Sequence, residues 1–146
     1  MIEYFSHENR TLAIIIRATY KKDGIEFFTD DALSQQLAYM NRPSGYEIQP
    51  HVHNAIPREV QYTQEVLFIK SGKVRVDFYT DQKYYIESTF LEAGDVILLA
   101  FGGHGFHIVE SAEIIEVKQG PYAGEHDKTR FKSVDINKII LRGVSK

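Results

Sequence analysis

The sequence has no cysteine among its 146 residues. That removes disulfides, thiolate metal sites, cysteine nucleophiles and redox switching, and it leaves any bound metal to nitrogen and oxygen ligands. Long apolar runs are missing too. The longest, Val96 to Phe101, falls far short of the roughly 20 residues a membrane helix needs. A secretory leader is not visible, because Met1-Ile2-Glu3-Tyr4-Phe5-Ser6-His7-Glu8 carries acids where basic residues belong and no apolar stretch follows. These absences predict a cytoplasmic protein with no membrane partner. A basic stripe is also lacking. Net charge is −3 with Lys and Arg scattered, so nucleic acid is not expected as a partner, and Lys128, Arg130 and Lys132 read as a solvated strand face.

What remains is an ordinary globular composition, 43% hydrophobic and 25% charged, with 9 Tyr and 9 Phe spread along the chain. A chain of this length buries roughly 70% of the surface its unfolded form exposes, so one core suffices. No linker or internal repeat breaks residues 1–146, which read as a single domain. Period-2 stretches rich in Val, Ile, Phe and Tyr recur over Leu12–Ala18, Gly24–Phe28, Leu37–Met40, Tyr46–His53, Val66–Lys70, Lys73–Tyr79, Lys83–Leu91, Asp95–Phe101, Phe106–Val109 and Glu113–Gln119. Many short strands predict an all-β sandwich or barrel. Ser71-Gly72 reads as a tight hairpin and Glu92-Ala93-Gly94-Asp95 as a second turn. Asp30–Tyr39 is helix-like while Gln36–Met40 also reads as a strand, and the tail after Phe131 reads as a last strand or short helix against the body.

Chemistry concentrates around His51-Val52-His53. In a strand, residues i and i+2 share a face about 6.6 Å apart, so two imidazoles can converge on one ion at roughly 2.1 Å each. Such a pair alone is a weak signal, and its surroundings strengthen it. Gly45 precedes the pair, and Glu65 follows it, six residues before Gly72. This frame, spanning 45–72, resembles the first motif of the cupin superfamily. The departure is the interval from His53 to Glu65, longer than the family's, which predicts an extended loop, Asn54–Gln64, over the site. Glu59 stands nearer the family's usual distance, but only Glu65 leads into a strand that ends at Gly72. The stretch from Gly94 to His107 partly meets the second cupin motif, with Ala100 where the family has proline and His104 one residue early. His107 competes with it. His104 is preferred because His104-Gly105-Phe106 repeats the family's His-X-Phe, and parity sets His107 on the opposite face.

The resemblance covers about half the chain and implies an all-β, double-stranded β-helix (jelly-roll, cupin barrel) with at most one or two short helices. It implies one divalent transition metal, Fe, Mn, Ni, Co or Zn, on His51, His53, Glu65 and His104, and a homodimer. A glutamate aimed into an apolar barrel is costly without a cation or donors, which agrees with a metal there. Three imidazoles and one carboxylate leave positions open, the arrangement of a catalytic site. Glu59, Lys118 and Tyr122 are the candidate proton-moving residues, weighed against ordinary surface roles. The leading expectation is a metal-dependent enzyme, of isomerase or dioxygenase type, on a small oxygen-rich substrate such as a sugar derivative or keto acid. The alternatives are a binding or sensor module that uses the metal as an anchor, and a metal-free protein of the sugar-nucleotide epimerase kind.

Overall fold

A computed structural model describes residues 1–143. Among the described residues eight strands form, β1 (Ile2–His7), β2 (Arg10–Ile16), β3 (Gly24–Phe27), β4 (Ala38–Asn41), β5 (Glu65–Tyr79), β6 (Tyr85–Glu92), β7 (Val96–Leu99) and β8 (Gly103–Lys118). The main sheet runs β1-β2-β7-β5-β6 with β8 on the other edge of β5, and β3 pairs with β4 in a separate hairpin. All pairings between strands are antiparallel. The fold is thus all-β, a curled sheet closed to about half a barrel.

The curl originates in β5. On one edge its start, Glu65–Phe68, pairs with β7 while its end, Lys73–Tyr79, pairs with β6, and on the other edge it follows β8 throughout. Register shifts between Ile69 and Val74 bend this ribbon at one corner. Gly72 sits there with φ +80, and a Cβ on it would lie 2.1 Å from the Ser111 carbonyl oxygen. Only glycine tolerates that backbone at that approach. The consequence is a closed course: Glu65 lies opposite Leu99 and Tyr79 opposite Gly103, and only Ala100–Gly102 separate those two partners. A straight strand would hold Glu65 and Tyr79 about 46 Å apart.

Two apolar layers stabilise the curl. Inside it Phe5, Ile15, Ile69, Val74, Val76, Phe78, Leu91 and Ile97 are sealed from solvent, with Phe5 and Phe78 rings 4.4 Å apart. On the outer face of β2 and β7, Ile14, Ile16, Leu98 and Ala100 pack under Phe28 and Leu37 of the β3–β4 arm, where Tyr20 meets Phe28 and Tyr39 edge-on. Strands buried on both faces need continuous apolar runs, which accounts for Leu12–Ile16 and Val96–Leu99. Asp95 locks the β6–β7 turn: its carboxylate accepts from Arg17 Nη1 at 2.8 Å, Ala18 N at 2.9 Å and Glu92 N at 3.0 Å.

The structure departs from the sequence expectations in several places. Ser71-Gly72 is a bulge inside one long strand, because Gly72 uses its positive φ to bend the ladder without ending it. The two expected strands 106–109 and 113–119 likewise merge into β8. Tyr46–His53 forms no strand, since nothing among the described residues pairs with it, and every residue from Asn41 to Tyr62 is exposed. The stretch 31–35 makes turns and bends, and Ala38 and Tyr39 open β4. The stretch 128–132 is irregular chain, and the tail carries two short 3-10 turns, Gly124–Asp127 and Ile136–Lys138, before Leu141 bridges Ser88.

Candidate functional site

The closure of β5 on itself brings Glu65 and His104 together. Glu65 opens β5 with the parity of the core residues Leu67 and Ile69, so it faces into the curl. His104 is the second residue of β8, which the short Ala100–Gly102 link precedes, and lies opposite Phe78 on the same inner face. Its Nε2 is 3.1 Å from Glu65 Oε2, with the Glu65 side chain 12% exposed and that of His104 30%. The His104 hydrogen bond holds the Glu65 carboxyl below the usual carboxylate range against the upward push of desolvation, and the charges of Lys118 and Lys128 reinforce it. His107 lies opposite Arg75 on the other face, as its parity requires.

Beside this pair is a cavity of about 600 Å³. Tyr62 and Phe101 form one wall, their rings 5.4 Å apart with the Arg10 guanidinium over Phe101. Tail residues Lys128, Arg130 and Phe131 form another, Phe131 packed edge-on against Tyr79. Lys128 and Arg130 are solvated as the sequence predicts, but they stand on irregular chain, not on a strand, and border the cavity. Nothing local marks them, because only the return of the tail over β5 carries them to the cavity.

The other predicted residues are placed as follows. His51 and His53 lie next to each other, ring centroids 5.3 Å apart, on the exposed segment. His51 Nδ1 is 2.9 Å from the Gln49 carbonyl, which only accepts, so that nitrogen carries the proton and Nε2 is free. Glu59 is exposed and takes a long hydrogen bond from Gln61. Lys118, the last residue of β8, lies opposite Glu65 in the ladder with its Nζ 3.9 Å from Glu116. Tyr122 is 86% exposed and lines a smaller hollow that also holds Lys118 and shares Tyr62, Thr63 and Asp127 with the cavity. The expected four ligands therefore stand as two pairs, Glu65 with His104 and His51 with His53. Among the described residues no three or more His, Asp or Glu side chains converge.

No helix is long and apolar enough to cross a membrane among the described residues. Comparison with known protein families, with curated proteins and with solved structures gives no match.

Proposed function

We propose that this chain is a metal-binding cupin and that it acts as a metal-dependent enzyme on a small, oxygen-rich acid. The observation that carries the proposal is the half-buried Glu65–His104 pair beside a cavity of about 600 Å³. The donor set fits a divalent transition metal. A separation of 3.1 Å lets one ion at roughly 2.1 Å bond both atoms. His51 supports the same reading, because an imidazole whose Nδ1–H is held by a backbone carbonyl presents Nε2 as metal ligands do. All-N/O ligation suits Fe, Mn, Co, Ni or Zn.

Lys118 and Lys128 bring positive charge toward Glu65, and Arg130 adds a guanidinium at the cavity wall, although Glu125 pairs with it. These cations favour a carboxylate-bearing substrate, a keto acid over a neutral sugar. The ion, when bound, supplies a Lewis acid for the substrate carbonyl or hydroxyl. Lys118, opposite Glu65, is the best-placed residue to move a proton, ahead of the exposed Glu59 and Tyr122. Tyr62, Phe101 and Phe131 exclude water from the apolar side of the substrate.

The test is metal content and its effect on unfolding. Purified protein is expected to hold about one metal ion per chain, and Glu65→Gln and His51→Ala each to lose it. Occupancy at a thousandfold over the dissociation constant adds about 4 kcal/mol. Chelation then lowers the melting temperature by roughly 8–16 °C at this chain length. Metal-free protein whose melting curve ignores both chelator and added metal refutes the proposal.

A further inference from the structure

The segment Asn41–Tyr62 is exposed at every residue, yet its sequence is that of a half-buried strand. Tyr46, Ile48 and Val52 alternate with Glu47, Gln49, His51 and His53, and Ile48 and Val52 are 56% and 86% exposed. An unpaired edge waits elsewhere in the molecule. β8 pairs only with β5 among the described residues, and along it Ile115 and Val117 are 53% and 60% exposed. A long edge carrying apolar side chains is a template for another strand.

The two strips match face for face. Side chains opposite each other in a ladder share a face. Ile114, Glu116 and Lys118 stand opposite Ile69, Leu67 and Glu65, so they lie on the inner face, while Ile115 and Val117 lie on the outer one. Because the period is 2, any pairing that sets Ile48 and Val52 on the outer face with Ile115 and Val117 sets His51 and His53 on the face of Glu65. Reach agrees. A strand added to β8 lies two spacings from β5, about 9.6 Å, which a glutamate and a histidine side chain span with an ion between them.

The segment's own chain directs it elsewhere. Gln64 precedes Glu65, the partner of the last residue of β8, so the chain upstream of it runs off the end of the sheet. Thr63 and Gln64 are pinned there, Thr63 Oγ1 donating to Asp127 at 2.7 Å and the Gln64 amide to the Gln119 side chain. We infer that the Tyr46–His53 segment of a second copy of this chain adds to the free edge of β8, and that its His51 and His53 complete the site begun by Glu65 and His104. Exchange is reciprocal in a twofold dimer, which holds two such sites. The ligand part of this inference rests on the metal-site reading above, while the strand addition does not.

Sedimentation and Co(II) binding test it. Wild type is expected to be dimeric. Ile48→Lys with Val52→Lys is expected to give monomers that keep the cooperative unfolding of the β1–β8 sheet and lose only the strand signal of the eight-residue segment, since both residues are solvent-exposed in the single chain. His51→Ala/His53→Ala protein and Glu65→Gln/His104→Ala protein each bind no Co(II) alone. Refolded together in equal amounts they regain about one quarter of the wild-type Co(II), because half the dimers then hold one intact site. A monomeric wild type that binds Co(II), or a dimer whose mixed variants regain none, overturns the inference and leaves the metal reading intact. A lysine-sensitive dimer that binds no Co(II) does the reverse, upholding strand exchange and removing the ion.

Discussion

The replacement Gly72→Ala tests the corner on which both the curl and the site depend. At φ +80 an alanine pays the left-handed penalty, about 1–2 kcal/mol. Its Cβ also falls 2.1 Å from Ser111 O and 2.7 Å from Ala112 Cα, both backbone atoms that move only if β8 leaves the ladder. Overpacking of that kind adds about 1–3 kcal/mol. Gly45→Ala isolates the first part, because Gly45 has φ +81 and nothing within 4 Å of its Cβ position. The expected losses are about 2–5 kcal/mol for Gly72→Ala and about 1–2 kcal/mol for Gly45→Ala. Urea unfolding followed by circular dichroism reads both, and the midpoint must shift without a change in slope. Equal losses at the two positions would refute the corner argument, since both share the backbone strain and only Gly72 has the collision.

Two further outcomes follow from buried and hydrogen-bonded groups. Asp95→Ala leaves the Arg17 guanidinium and two backbone N–H groups without their acceptor, so it is expected to cost about 3–5 kcal/mol in the same unfolding assay; a loss under about 1 kcal/mol would show that water replaces the carboxylate. Tyr20 donates to Glu26, which pushes its phenol up to about 12 from an ordinary value of about 10. The raised value means that the stabilisation is complete below pH about 10 and is lost as pH climbs through about 12. Tyrosinate absorbance should therefore contain a late component that Tyr20→Phe removes.

The strands were legible where burial is set by sequence pattern alone. Leu12–Ile16 and Val96–Leu99 are apolar throughout because both faces are covered, and the Glu92–Asp95 turn is written in Gly94 with its φ of +89. The pattern misled where one residue type serves two geometries. Gly72 marks a positive φ equally well for a hairpin and for a bulge, and only the pairing of β5 with β8 on both sides of it decides. Strand β1 was missed because Glu3, Ser6 and His7 break any period-2 apolar pattern, although Phe5 is sealed in the core. Of the candidate site, the Glu65–His104 approach was legible through motif spacing, since parity on β5 and β8 sets both on one face. The Lys128 contribution was not legible, because a tail returning over a sheet leaves no periodic trace.

The exposed segment shows why spacing and assembly are separate questions. Alternation at Tyr46–His53 specifies which side chains share a face, but a strand exists only when another strand accepts its N–H and C=O groups. Ordering eight residues costs on the order of 8–16 kcal/mol of backbone entropy. Burying Tyr46, Ile48 and Val52 returns roughly 1.5–3 kcal/mol for each large apolar side chain, which leaves a deficit that, in the proposed dimer, ladder hydrogen bonds and ligation of an ion would cover. Under that proposal strand addition and metal binding would be coupled, and by reciprocity any factor by which the ion tightened the dimer would be the factor by which dimerisation tightened the ion. In that arrangement His51-Val52-His53 acts as a strand signal that a single chain cannot use, and its partner is the apolar edge that β8 leaves open.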